Sequence, residues 1–118
     1  MDTQLKNLMN VAGAVGCCVV DSSSGMMLAS EGGGPVNLEL AAAGNTEVIR
    51  AKLRTMKSLD LNDAIEDILI TLGKQYHLIR PMAKNPEIFI YMVIDKERGN
   101  LALARHSLQK SEKEMVLP

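Results

Sequence analysis

The length and charge of the chain already exclude several classes of protein. It has 118 residues, 47% of them apolar and 23% charged, with a formal net charge of −1, one Phe and no Trp. This length predicts one domain over residues 1–118, and the apolar share predicts a sizeable core. The near-neutral charge argues against the basic face that supplies most nucleic-acid affinity, and the scarcity of aromatic rings argues against base stacking.

The N-terminal residues lack the pattern of a secretion signal, which combines basic residues with an apolar run. Apolar runs such as AVGCCVV are too short to cross a bilayer. We therefore expect a cytoplasmic protein that inserts into no membrane.

The chain opens with a predicted helix. Asp2 or Thr3 is placed to cap it, and its apolar residues recur at three- and four-residue spacing. Those residues are Leu5, Leu8, Met9 and Ala12. Gly13 stands where a helix often ends, so we expect the helix to run up to that residue.

A hairpin is predicted next. Residues 14–20 are apolar without alternation, which is typical of a strand buried on both faces. The turn DSSSG combines an Asp that can bond its own turn with a Gly that accepts positive φ. Residues 26–30 form the returning strand.

The longest predicted helix follows a glycine-rich connection. EGGGP lacks the Lys and the Ser or Thr that a phosphate-binding loop places after its last Gly, so we interpret it as a plain connection. Asn37 caps a helix whose apolar stripe recurs at about 100° per residue. That stripe is Leu38, Ala42, Asn45, Ile49, Leu53 and Met56. Gly44 costs about 1 kcal/mol of helix propensity, which a close crossing of another backbone would offset.

Three strands and a closing helix complete the prediction. The stretch AIEDILITLG alternates polar with apolar residues, and KQYHLIRPM does so more weakly. The stretch PEIFIYMVID is apolar at both odd and even positions, which predicts a central strand of the sheet. Asn100 is placed to cap the last helix. Strands that are apolar on both faces need cover on both, so we expect an α/β (α+β) three-layer sandwich.

Cys17 and Cys18, the two cysteines of the chain, raise the question of a redox or metal site. Adjacent strand residues point to opposite faces of a sheet, so the two thiols cannot converge on one metal ion. No CxxC pair or Cys/His cluster accompanies them. We interpret both as small buried residues of a central strand, with a reactive thiol as the alternative.

The other residues capable of chemistry form no recognisable site. His77 and His106 have no nucleophile paired with them in the sequence, and we interpret them as structural or surface histidines. The clustered carboxylates lack the spacing of a calcium loop and indicate a solvated loop and strand start. They are Asp60, Asp63, Glu66 and Asp67. We expect no catalytic residue, no metal and no cofactor.

The order of elements and the first hairpin resemble the Roadblock/dynein light-chain family, in the form of a bacterial-type single-domain member. In that family the hairpin consists of an apolar strand, an Asp, a turn with Gly, and an apolar strand that ends in Ala or Ser. The matching residues are Val19, Val20, Asp21, Gly25, Met26, Leu28, Ala29 and Ser30. The stretch IFIYMVIDKERGNLALARHSL resembles the family's last strand and closing helix.

The resemblance implies both a fold and a function. The fold is a five-stranded antiparallel sheet in the order α-β-β-α-β-β-β-α, with the long helix on one face and both terminal helices on the other. Family members are generally non-enzymatic homodimers that scaffold or regulate small Ras-like GTPases. We expect such a module, whose partner is a small GTPase or another protein. The alternative is a small-molecule sensor or enzyme that uses the sheet and the cysteines.

Two surfaces are candidate sites. A homodimer interface is expected on the long helix and the third strand, because small residues allow a close helix crossing and an exposed sheet edge invites pairing. Its residues are Ala41, Ala42, Gly44, Asn45, Ile68, Ile70 and Leu72. On another side of the helix, positive charge either only keeps the dimer soluble or forms a partner-binding surface that would steer an acidic partner. Its residues are Arg50, Arg54 and Lys57.

Overall fold

The computed structural model describes residues 1–117, which form three helices and five strands. In chain order they are α1 (Asp2–Met9), β1 (Ala14–Asp21), β2 (Met26–Gly32), α2 (Leu38–Ser58), β3 (Ile68–Thr71), β4 (Gln75–Pro81), β5 (Ile88–Asp95) and α3 (Leu101–Glu114). The predicted order of elements is confirmed. Within the described residues, no helix is both long enough and apolar enough to span a membrane.

All five strands belong to one antiparallel sheet with the order β2-β1-β5-β4-β3. β1 and β5 are neighbours at its centre, where Cys18 lies opposite Tyr91 and Val20 lies opposite Phe89. Both central strands are almost continuously buried, as their unbroken apolar runs predict. β2 and β3 form the two edges of the sheet.

Helices cover the two faces of the sheet, each over its own core. On one face α2 packs over β1 and β2, and its buried residues Ala42 and Ile49 join Phe89 and Tyr91. On the other face α1 and α3 pack against each other and against the sheet, with Leu5, Leu8 and Leu108 fully or almost fully buried. The predicted three-layer α+β sandwich is confirmed.

Asparagine caps begin both of the longer helices where the sequence places them. The side chain of Asn37 accepts a hydrogen bond from Leu40 N at 3.1 Å, and that of Asn100 accepts one from Leu103 N at 3.0 Å. Each bond satisfies one of the backbone donors that a helix leaves unpaired at its first turn.

The predicted limits of α1 were wrong at both ends. The helix begins at Asp2 itself, whereas a cap at Asp2 would start the helix at Thr3. Met1 occupies the N-cap position and makes no side-chain hydrogen bond there. The Asp2 carboxylate instead lies in the first turn, where its negative charge interacts favourably with the helix dipole. The helix ends at Met9, and residues 10–13 form the turn that leads into β1.

That turn depends on a glycine. Gly13 has φ +81°, and a Cβ added to it would lie 2.5 Å from the Gly99 Cα. Gly13 O also accepts a hydrogen bond from Asp95 N at 2.7 Å. The connection after α1 is thus packed directly on the connection before α3, at a distance that only glycine permits.

β3 is shorter than the alternation of AIEDILITLG predicts. Residues 62–67 have no regular secondary structure, and the strand covers only Ile68–Thr71. Before it, the Asp67 carboxylate is bound by Arg105 of α3 at 3.1 and 3.2 Å. After it, Leu72 N donates to Gln75 O at 2.9 Å and closes the turn into β4. Leu72 therefore lies outside the strand in which we predicted it.

A second ion pair joins α3 to the sheet. Arg80 of β4 donates from Nε to Glu112 Oε1 at 3.1 Å, and the two side chains are only 12% and 5% exposed. Removing either partner would leave a buried charge without compensation, which is strongly destabilising. The pair fixes the C-terminal half of α3 to the end of β4.

Candidate functional site

The two cysteines lie in different cores. Cys17 packs beneath α1 and α3, where its Sγ donates to Leu5 O at 3.4 Å, and Cys18 packs beneath α2. Both thiols are free and fully buried. Burial raises the pKa of each thiol to about 12, so the thiolate that a nucleophile or metal ligand needs is almost absent at neutral pH. The interpretation of both as buried residues of a central strand is confirmed.

The carboxylates of the segment before β3 do not converge. Asp60, Asp63 and Glu66 are exposed, and Asp67 is engaged by Arg105. Among residues 1–117, no three His, Cys, Asp or Glu side chains are grouped so that they could hold a metal ion. The predicted solvated segment is confirmed for the first three residues, whereas the role of Asp67 as a tie to α3 was missed.

His77 is half-buried on the sheet face that α2 covers, within a small polar network. Its Nε2 lies 2.9 Å from Gln75 Oε1, and its Nδ1 lies 2.9 Å from the Tyr91 hydroxyl. Because the amide oxygen can only accept, Nε2 carries the proton and the hydroxyl donates to Nδ1. Burial lowers the pKa of His77 and raises that of Tyr91 to about 12. His106, by contrast, is exposed on α3.

A groove runs between α2 and the edge strand β3. It has a volume of about 510 Å³ and is mostly apolar. Its lining residues are Val48, Ala51, Lys52, Thr55, Asp67 and Ile68. The structure thus brings together the two elements on which the sequence predicts a dimer interface.

Three of the predicted interface residues of α2 remain accessible. Ala41 and Asn45 are half-buried on the flank of the helix that also carries Val48, in agreement with helical geometry. Gly44 is exposed, and a Cβ added to it would meet no atom within 4 Å. No backbone within the described residues crosses this position.

Ala42 does not share that surface. Its side chain is fully buried in the core between α2 and the sheet, in the same cluster as Phe89. The prediction that it contacts a second copy is therefore corrected: the 100° step of the helix turns Ala42 toward its own sheet.

The predicted interface residues of the β3 region lie along the open edge of the sheet. Ile68 and Ile70 are paired with Ile79 and His77, and are half-buried on the face that α2 occupies. Leu72 is 44% exposed at the turn. α2 leans toward the opposite edge, over β1 and β2, and therefore leaves this edge incompletely covered.

The three predicted partner-binding residues divide into two groups. Arg54 and Lys57 are exposed on α2. Arg50 instead donates from Nη2 to Ser22 O at 2.7 Å and to Ser23 O at 3.2 Å, and its Nη1 lies 3.0 Å from Glu47 Oε1. Arg50 thus ties the β1–β2 turn to the middle of α2. Sequence reasoning missed this role because the turn and the helix position are 28 residues apart.

Four residues of α2 line the groove without having been assigned to a site by the sequence analysis: Val48, Ala51, Lys52 and Thr55. The available signal was their spacing, since positions three and four residues apart share one helix flank with Ala41 and Asn45.

The architecture is that of the Roadblock/LC7 fold, and comparison with solved structures shows this directly. MglB from Myxococcus xanthus superposes with a TM-score of 0.82 at 17% identity, covering 95% of this chain and 88% of that chain. A Roadblock/LC7 domain from Streptomyces avermitilis superposes with a TM-score of 0.82 at 10% identity, covering 96% of this chain and 92% of that chain. The gliding protein MglB from Thermus thermophilus superposes with a TM-score of 0.81 at 14% identity, covering 95% of this chain and 82% of that chain.

The likeness lies in the structure rather than in the sequence. No family model matches the chain, and no relative is found among curated proteins. At these identities the solved structures define the fold alone. The resemblance predicted from the first hairpin and the element order is confirmed at that level.

The burial of the cysteines predicts their reactivity. Because each thiol has its pKa raised from 9.0 to about 12, its thiolate fraction near neutral pH falls about a thousandfold. We expect a thiol-specific disulfide reagent to label the native chain far more slowly than the unfolded chain. Replacing Cys17 and Cys18 together by Ala should cost on the order of 1 kcal/mol each and leave association unchanged. Rapid labelling of the native chain would contradict this assignment.

Arg50 and Arg54 form a matched pair for testing the tie between the turn and α2. Arg50→Gln removes the donors to Ser22 O and Ser23 O, and should lower the free energy of unfolding by about 1 kcal/mol, since the pair is partly exposed. Arg54→Gln should leave stability within about 0.5 kcal/mol. Chemical denaturation of both variants measures the difference, and equal stabilities would rule out a structural role for Arg50.

Proposed function

We propose that the chain is a non-enzymatic, homodimeric interaction module of the cytoplasm that scaffolds or regulates a small Ras-like GTPase. The observation that carries the proposal is the match of 95% of the chain to MglB from two bacteria, with TM-scores above 0.8. Regulation of a small GTPase is the function that the family resemblance implies. The surfaces of this chain support the proposal independently of that likeness.

The groove between α2 and β3 supports a homodimer. β3 presents an edge with unpaired backbone groups, which is a ready template for pairing with a second strand. Beside it, Gly44 lies open on α2 and Ala41 and Ala51 are small, so a second helix can approach closely. A two-fold axis beside β3 would pair the edge with its own copy, as isologous interfaces do.

Both cysteines and one of the two histidines are engaged within the fold. Cys17 and Cys18 are buried as neutral thiols on opposite faces of the sheet. Both ring nitrogens of His77 have partners within the fold. These observations favour a binding module over an enzyme or sensor that works through the cysteines, and we do not propose the latter.

The partner-binding surface of the proposal lies on the solvent side of α2. Arg54 and Lys57 are exposed there, and Arg50 contributes its charge although its donors are occupied. Positive charge at this place would accelerate association with an acidic partner surface at low ionic strength and lose that effect as salt rises.

A tryptophan at position 44 provides a sharp test of the homodimer. We expect light scattering at micromolar concentration to give twice the chain mass for the native sequence. Gly44→Trp should shift the mass to that of one chain, because the indole would occupy the space of the helix crossing. Ala43→Trp is the matched control, since Ala43 is exposed on a different flank of the same helix and should leave the dimer intact.

Either of two results would contradict the interface. A native chain that is monomeric at these concentrations would remove the homodimer from the proposal. A Gly44→Trp variant that stays dimeric while Ala43→Trp dissociates would place the contact on the opposite flank of α2. Circular dichroism of both variants shows whether each change in mass occurs in a folded protein.

The GTPase partner is tested by affinity capture from the protein's own cells, with extracts loaded with GDP or with a non-hydrolysable GTP analogue. We expect a small GTPase whose recovery depends on the nucleotide. Arg54→Gln with Lys57→Gln should slow its association at low salt without changing the dimer mass. An unchanged rate would exclude this surface, and capture that yields no GTPase with either nucleotide would contradict the proposed partner.

A further inference from the structure

A second cavity, separate from the α2–β3 groove, opens beneath the C-terminal half of α2. Its volume is about 500 Å³, which is within the range of ligand-binding pockets. Its walls come from α2, from the segment that follows it and from the β4–β5 connection. The apolar residues that matter here are Ile49, Leu53, Ala64, Ile65, Met82 and Pro86.

Part of the apolar wall of this cavity is accessible, although Ile49 and Met82 are buried. Leu53 is 49% exposed although it belongs to the stripe that faces the sheet, and Ile65 is only half-buried. Leu59 and Leu61, at the end of α2 and just beyond it, are also exposed. Exposed apolar side chains beside a cavity of a small domain are typical of a place where another molecule binds.

The charges around the cavity are mostly negative. Asp63 and Glu66 stand on its exposed side, and Glu112 lies at its buried end. Among the lining residues the single cation is Arg80, which donates from Nε to Glu112 and is largely buried, whereas the exposed Lys84 lies in sequence between Ala83 and Pro86. Three carboxylates against one guanidinium disfavour an anionic occupant and favour a cationic one.

The segment that walls the cavity also offers free backbone groups. Residues 62–66 have no regular secondary structure, and none of their backbone N–H or C=O groups bonds to another backbone group within residues 1–117. One N–H, that of Ala64, bonds to the Asp63 carboxylate at 2.8 Å. An extended chain laid along this segment can pair with such groups, as in strand addition.

We propose that this cavity docks an extended segment of a partner protein in which a large apolar residue is flanked by Lys or Arg. The apolar side chain enters between Leu53 and Ile65, the basic side chains face Asp63 and Glu66, and the peptide backbone runs along residues 62–66. The site goes beyond the proposed GTPase-regulating role, since it uses neither the α2–β3 groove nor the basic residues of α2.

The test uses three fluorescein-labelled hexapeptides and the full chain. One peptide alternates lysine with leucine, the second alternates glutamate with leucine, and the third alternates lysine with serine. We expect saturable binding of the first peptide by fluorescence anisotropy, and binding of the others that is at least about tenfold weaker. Amide shifts in ¹H–¹⁵N spectra should be largest for residues 62–66 and for Leu53 and Ala83.

Two variants with matched controls locate the binding. Ala64→Trp should fill the cavity and weaken binding of the lysine–leucine peptide at least about tenfold, whereas Ala102→Trp, on the exposed side of α3, should not. Asp63→Asn with Glu66→Gln should weaken binding several-fold at low salt and less at high salt. The control for charge is Glu39→Gln with Glu97→Gln, both exposed and outside the cavity.

The proposal is overturned if the lysine–leucine peptide shows no saturable binding. It is also overturned if the lysine–serine peptide binds as tightly, or if Ala64→Trp binds as the native chain does while remaining folded. Light scattering on the same samples reports the dimer separately. A lost dimer with retained peptide binding therefore contradicts the proposed function alone, and the reverse result contradicts this inference alone.

Discussion

The pairing of β1 with β5 is the constraint on which the rest of the structure depends. Both strands are apolar on both faces, so the sheet that they centre must be covered twice. α2 supplies one layer and α1 with α3 supplies the other, and each contributes a separate core. The adjacent cysteines follow from the same constraint, because a strand buried on both faces sends one small side chain into each core.

The position of α2 decides which surfaces of the sheet stay open. The helix leans over β1 and β2, where Arg50 bonds to the β1–β2 turn. It therefore covers the β3 side incompletely, and its C-terminal half overhangs the β4–β5 connection. The groove beside β3 and the cavity under Leu53 are two consequences of this one displacement. A helix centred on the sheet would close both.

Several polar groups of the kinds that catalysts use serve the fold instead. Arg80 and Glu112 fix α3 to β4, Arg105 fixes the segment before β3, and His77 links Gln75 to Tyr91. What remains accessible is apolar surface, open backbone and scattered charge. Protein–protein interfaces are built from such groups, so the proposed function depends on surfaces rather than on a catalytic centre.

The sequence alone determined the element order, the central strands, the two asparagine caps and the burial of both cysteines, because each depends on local periodicity or on a single residue's bonding. It also located α2 and β3 as the elements of an open surface. Tertiary structure decided the rest. It turned Ala42 into the core, bound Arg50 to a turn 28 residues away and ended β3 at Thr71. Those outcomes depend on how the layers are placed on each other, and no stretch of the chain carries that information by itself.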